Sequence, residues 1–378
     1  MRALGKTISI ALVFILSLIA LMEIKGNTMS GKRLHSMVFI ETSADWQRCE
    51  LINCRLLEKE NSIGFIDLSA PGKLITDKID PGFSFTQLIL SWNATRSDSI
   101  SALHFIVDVS PDSHSWHGFD YQTWGSGEVS QATSEWVKKV DGIGRINVDF
   151  LTLEQPMRYA RVIVRALGNG QSGEIFLRRM AVAFSNDDSG WDDYRAHHGI
   201  VRRPAYSQVK LAVPYYTQRS LPKSLSGNCC SPTSVCMVMN YHGIEITPAE
   251  MAHRVYDRRG GIYGNWPHNV AAAFEIGLGK TWVEVHCGFD EIYDEVAAGR
   301  PVVISIAYDY DKLPRSPIHE APEGHLIAVV GFDGPEIVIC NDPAGHYAED
   351  GIVNYPRKEL EEIWIGHGGI AYHLWPEQ

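Results

Sequence analysis

The chain has 378 residues and a mass of 42.2 kDa, enough for two domains with cores of their own. Its 45% hydrophobic and 21% charged content is that of an ordinary globular protein. A formal net charge of −11, an isoelectric point near 5.7 and the lack of any basic run argue against a nucleic-acid partner. Seven cysteines are too few for a disulfide scaffold, and the odd count leaves at least one thiol unpaired.

At the N-terminus, Arg2 and Lys6 precede an uncharged, mostly apolar run from Thr7 to Met22. Such a run is short of the ~20 residues of a membrane-spanning helix and matches the core of a signal peptide with a positive leading region. Residues 1–28 are therefore expected to be a signal peptide or membrane anchor, and the protein to be exported, extracellular or held at the cell surface. The small-x-small cleavage pattern is poor, because Met22-Glu23-Ile24-Lys25 intervenes. Translation from Met22 or Met29 would omit the segment altogether. In an exported protein, Cys49 and Cys54 are the first pair to consider for a disulfide.

Residues 29–185 read as an antiparallel β-sandwich. Ile146, Val148 and Phe150 alternate with Asn147 and Asp149, and Ala160, Val162 and Val164 alternate with Arg161, Ile163 and Arg165. Gln87–Trp92, Ala102–Val109 and Glu174–Phe184 are further strand-like runs, with Ser110-Pro111-Asp112 and Gly168-Asn169-Gly170 as turns. Trp92, Trp116, Trp124 and Trp136 could stack on sugars, although aromatics in a sandwich are more often core. A cell-envelope ligand is the candidate partner of this domain. Residues 186–206, rich in Asp, Gly and Arg-Arg-Pro, carry no periodicity and suit a linker.

From 207 to 378 helices precede an antiparallel sheet, which is an α+β pattern. The run Val235–Tyr241 is helical and stops at Gly243. Thr247-Pro248-Ala249-Glu250 is a capping box with proline at the first helical position. Pro267–Ile276 and Asp290–Ala298 are further helices. Val302–Ala307, His325–Phe332, Glu336–Cys340 and Gly369–Trp375 are the expected strands.

Cys230, within Asn228-Cys229-Cys230-Ser231-Pro232-Thr233-Ser234, stands where a loop turns into a helix. Unpaired backbone N–H groups and the positive end of the macrodipole favour a thiolate there, which is the nucleophilic form. A free cysteine is usually only a small buried hydrophobe. That is the better reading for Cys236, Cys287 and Cys340, which lie in apolar periodic stretches. Cys230 differs in its company. His325 opens an apolar strand after Gly324, where a general base has both support and access. Asp342, in Asn341-Asp342-Pro343, could fix the histidine's tautomer and orientation, and the Asn341 amide is a credible substitute.

Gln218 lies upstream of the nucleophile, where its side-chain amide and the Cys230 N–H could form an oxyanion hole. Asn265 and Trp266, in Gly264-Asn265-Trp266-Pro267, either line a substrate cleft or merely cap and pack a helix. The close pairs His114/His117 and His197/His198 lack accompanying donors at zinc spacing, so no metal is expected. The sequence has neither a Gly-rich phosphate loop nor a Gly-x-Ser-x-Gly elbow.

With these motifs the chain resembles bacterial exported proteins related to family thirty-nine of the cysteine peptidases, a papain-like group best known for cutting double-glycine leaders from bacteriocins. The resemblance spans about Leu211 to Pro376. It rests on Val213-Pro214 with Gln218, Cys230-Ser231-Pro232-Thr233-Ser234, Gly264-Asn265-Trp266-Pro267 and Ala298-Gly299-Arg300-Pro301-Val302. Gly324-His325-Leu326 with Gly331-Phe332, and Asn341-Asp342-Pro343, complete it. A weaker likeness at Leu90-Ser91-Trp92-Asn93-Ala94 is to the β-rich module often found before such domains.

The resemblance implies a papain-like fold, no cofactor, and a peptide or protein substrate. It implies Cys230 as nucleophile, His325 as base, Asp342 as orienter and Gln218 as oxyanion donor. Ser231 replaces the glycine usual in bacteriocin-processing members, and Cys229 a bulkier residue. No transporter segment accompanies the motifs, so leader processing is not implied. The competing expectation is a papain-like domain that has kept its fold as a binding protein.

Overall fold

The computed structural model describes residues 34–68, 70–125, 138–168, 173–186, 206–309, 312–318, 322 and 324–376. The N-terminal apolar run, Trp136, His197, His198 and nearly all of the 186–206 linker lie outside these residues. Among the described residues no helix is long and apolar enough to cross a membrane. The described residues all belong to one compact unit.

The β-rich half is a sandwich. Its larger sheet is centred on the antiparallel neighbours Phe85–Arg96 and Ile175–Asn186, flanked by Leu34–Ile40, Ser62–Phe65 and Phe150–Met157. The smaller sheet is centred on Ala102–Ser110 and Tyr159–Leu167, paired from Tyr159↔Ser110 to Leu167↔Ala102. The core between the sheets contains Phe65, Leu88, Leu90, Trp92, Phe105, Val107 and Val162. Trp92 stacks on Phe105 with ring centroids 4.1 Å apart, and Trp124 is buried beneath the Arg96 guanidinium. Those two tryptophans are therefore core, not a sugar platform.

The alternating run 146–150 is not one strand. Gly144–Asn147 and Phe150–Met157 form an antiparallel hairpin in which Asn147 faces Phe150. Val148 takes φ +55° at the turn. Asp149 points inward, and its carboxylate accepts the Trp266 N–H at 2.6 Å. That long-range bond, which no local pattern announces, goes with the turn.

The Phe85–Arg96 strand is buried on both faces over most of its length. Leu88, Leu90, Trp92 and Ala94 fill the sandwich core, whereas Ile89, and Ala183 of the adjacent strand, join the core of the C-terminal half. Between them, Asn93 donates to the carbonyl and hydroxyl of Thr281 at 2.8 Å each, and its Oδ1 accepts the Thr281 N–H at 3.2 Å. Ser91 Oγ accepts the Val283 N–H at 3.1 Å, and Arg96 forks onto Glu275 at 3.0 and 3.2 Å. Burial on two faces is why Leu88, Ile89 and Leu90 run on without alternation, and why the polar Ser91 and Asn93 each have a hydrogen-bond partner.

The C-terminal half is α+β with an antiparallel sheet. Its order is Lys280–Val285, Ile370–Trp375, Val302–Ile306, His325–Asp333, Ile337–Asn341, Ile352–Pro356. The helix Cys230–Tyr241 packs against the His325–Asp333 strand, where Ser234 Oγ donates to the Leu326 carbonyl at 3.0 Å. Thr247 caps the Pro248–Val255 helix through the expected box with Glu250. Trp266–Ile276, Phe289–Ala297 and Arg357–Gly366 are the other main helices. The last of these, and the strands Lys280–Val285 and Ile352–Pro356, are additions to the sequence reading.

Candidate active site

Cys230 is the first residue of its helix, and Cys229 occupies the cap position without contributing a side-chain cap. The first turn carries no acidic side chain, and Pro232 removes no intrahelical bond there. The positive end of this helix is thus left facing the Cys230 side chain. Cys230 is part-exposed, whereas Cys229 beside it is fully buried and its thiol is pushed up to about 12 by burial.

His325 opens the neighbouring strand and is buried, as is Asp342. His325 Nε2 stands 2.8 Å from Asp342 Oδ1. A carboxylate can only accept, so Nε2 carries the proton and Nδ1 is left for the Cys230 thiol. Burial alone would push that thiol up. The hydrogen bond and charge of His325, with backbone N–H groups of Leu326 and Ser231, outweigh burial and lower it. Burial would likewise lower His325, but the Asp342 carboxylate and the Cys230 sulfur raise it to about 10. The two shifts point the same way, to a thiolate–imidazolium pair.

Asp342 is held on every side. Oδ1 also accepts the Ala344 N–H at 2.9 Å, Oδ2 accepts the Tyr355 hydroxyl at 2.9 Å, and its carbonyl accepts the Tyr215 hydroxyl at 3.0 Å. Asn341 is turned elsewhere, donating to the Val213 carbonyl at 3.2 Å. Asp342, not Asn341, is therefore the group on the histidine. Tyr355 was invisible to sequence reasoning, because a tyrosine in an unread strand carries no signal of what it faces.

Gln218 begins the 3-10 turn Gln218–Ser220 and is buried, with Oε1 making no hydrogen bond. Leu221, which ends this turn, packs with Cys229. Asn265 takes the capping reading. Its Oδ1 accepts the His268 N–H at 3.2 Å, its Nδ2 donates to Asp257 at 3.0 Å, and the residue is fully buried. With both amide ends occupied it offers no surface to a substrate. Trp266 is half-buried and meets the Phe150 ring edge-on at 6.3 Å, so it packs against the sandwich.

All seven cysteines are free. Cys49 donates to the Asp45 carbonyl and Cys54 to the Lys73 carbonyl, so the expected bridge between them is not formed. Cys236 and Cys340 are buried, and burial raises both thiols. Cys287 is only half-buried, with His35 and Glu291 beside it, which corrects its reading as core.

A C39-like peptidase from Bacillus anthracis is 21% identical with a TM-score of 0.34, over 45% of this chain and 98% of its own. A double glycine motif protease from an AMS/PCAT transporter, solved with its leader peptide, is 19% identical with a TM-score of 0.29, over 45% and 99%. A family 29 carbohydrate binding module is 11% identical with a TM-score of 0.23, over 40% and 91%. No curated protein matches the chain. Residues 210–372 match the model of the Peptidase_C39 like family, and the C-terminal domain is C39-peptidase-like.

Proposed function

We propose that the chain is an exported cysteine peptidase, or a related amide hydrolase, that acts on a peptide through Cys230, His325 and Asp342. The observation that carries this reading is the placement of His325 between a part-exposed thiol at a helix start and a buried carboxylate at 2.8 Å. Export rests on the leading Arg2 and Lys6 and the apolar run after them.

The Cys230 thiolate attacks the scissile carbonyl. The oxyanion that forms takes hydrogen bonds from the Cys230 N–H, unpaired at the helix start, and from the Gln218 amide. His325 then protonates the departing amine, leaving a thioester on Cys230. In the second half-reaction His325 takes a proton from water, hydroxide attacks the thioester, and the thiolate leaves. Asp342 keeps the ring in one tautomer throughout, and Tyr355 and the Ala344 N–H keep Asp342 in place.

Iodoacetamide alkylation across pH, in wild type and His325→Ala, tests the reading. With the pair in place, wild type reacts fast well below the free-thiol range of ~8.5, and the variant shifts toward it. Slow reaction with an ordinary thiol profile in both proteins would instead leave a papain-like binding protein without catalysis.

A further inference from the structure

On the far side of the sheet from Cys230 lies a cluster that the hydrolysis does not use. Along Ile370–Trp375 successive side chains face opposite sides. The Tyr372 hydroxyl meets Ser231 Oγ at 3.1 Å beside the nucleophile, so His373 points away from it. His373 lies opposite Trp282 in the strand pairing and stacks on its ring at 4.6 Å and 7°. Glu284 shares the Trp282 face two residues on, and His286 follows where the strand ends.

Their donor atoms converge. Nε2 of His286 and Nε2 of His373 are 2.9 Å apart, and Glu284 Oε2 lies 3.4 Å from the second and 4.0 Å from the first. A tetrahedral ion with bonds of about 2.0–2.2 Å holds its donors roughly 3.3–3.6 Å from one another. The three separations bracket that span.

The surroundings fix the donors. His286 Nδ1 is 3.0 Å from Glu291 Oε2, an acceptor, so this nitrogen holds the proton and the Nε2 lone pair faces the cluster. A carboxylate behind a ligating histidine is the usual outer support of a metal site. Trp282 Nε1 steadies Glu284 Oε2 at 2.7 Å. His373 is buried and its Nδ1 has no hydrogen-bond partner, so Nε2 is the ring's polar engagement, and it faces the cluster. Two carboxylates around two imidazoles also suit a dication.

We propose that Glu284, His286 and His373 form a zinc-class divalent-metal site, with Glu291 as the positioning residue for His286 and a fourth position open to water. The donors come from segments far apart in the chain, the two histidines being 87 positions apart, which is why no motif spacing revealed them. A second group at the rim, His35, Cys287 and Glu291, is the rival location for an ion.

The test is zinc titration of the full chain against a chromophoric chelator, and cobalt(II) absorption spectra, in a Cys230→Ser background that removes the catalytic thiol. The expected result is one tightly held ion per chain and tetrahedral cobalt bands without thiolate charge transfer. Glu284→Gln and His373→Gln should each abolish it, Glu291→Gln should weaken it about 10–100-fold, and His35→Gln should leave it unchanged. Glu284 is the most accessible of the three, so its variant keeps the test decisive if His373→Gln fails to fold. Failure to hold zinc, retention of zinc by Glu284→Gln, or a thiolate band lost in Cys287→Ser would each overturn the assignment.

Discussion

Gln218 gives its backbone N–H to the carbonyl of Pro343, 2.9 Å away and next in the chain to Asp342. Arg219 and Thr217 add side-chain bonds to the carbonyls of Ala344 and Gly345. The proposed oxyanion donor and the carboxylate behind the histidine are therefore fastened to each other, although they are remote in sequence. Replacing the Gln218 side chain leaves this backbone fastening intact. Gln218→Ala should lower kcat on the order of a hundredfold with KM little changed. Its melting temperature should stay near that of wild type, since Oε1 makes no bond to lose. A matching fall in stability would assign Gln218 a structural role.

The pH profile follows from the paired shifts. Activity, measured as kcat/KM, should rise on the acid side as Cys230 deprotonates below its ordinary value, and fall as His325 loses its proton near about 10. Stability carries its own signature. His325 is raised above the 6.5 of its unfolded state, so its contribution is full below pH 6.5 and is lost as pH climbs to about 10. The lowered Cys230 contributes with the opposite sign, so urea titrations across that window should show the decline in a Cys230→Ser background, flattened when His325→Gln is added.

Tyr355→Phe removes the hydroxyl from Asp342 Oδ2 while keeping the ring that fills the core. A buried carboxylate oxygen left without its donor costs roughly 1–3 kcal/mol. Thermal unfolding should show that loss. Activity should fall less than in Asp342→Ala, because Ala344 still holds Oδ1.

Val148 is a β-branched residue at φ +55° and is 40% exposed. That conformation strains valine and suits glycine or asparagine. Val148→Gly should stabilise the protein by about 1 kcal/mol in chemical denaturation, without touching the bond from Trp266 to Asp149.

Much of the C-terminal half is legible because its signals are local. A capping box announces the Pro248–Val255 helix, and a cysteine after a loop announces the start of the Cys230–Tyr241 helix. The order of Cys230, His325 and Asp342 then suffices to nominate them. What escaped was long-range. Asn265 reads equally well as cap or cleft until Asp257 is seen on its amide. The alternation of Ile146, Val148 and Phe150 cannot show that Asp149 will reach Trp266 and bend the chain. One clue to the second buried face is local. The run Leu88-Ile89-Leu90 inside Phe85–Arg96 does not alternate, and a sandwich strand with one free face would have.

That strand also bears on how such a protein is inherited. Ile89 belongs to the interior of the C-terminal half, and Ser91 and Asn93 complete the backbone bonding of Val283 and Thr281. A recombination event that exchanged the first half for an unrelated module would take these three side chains with it. The peptidase-like half would be left with apolar surface and unpaired amide groups on its outermost strand. Exchange of the first half would thus cost the second its own interior, and any change on the inward face of Phe85–Arg96 is answerable to the half that carries Cys230.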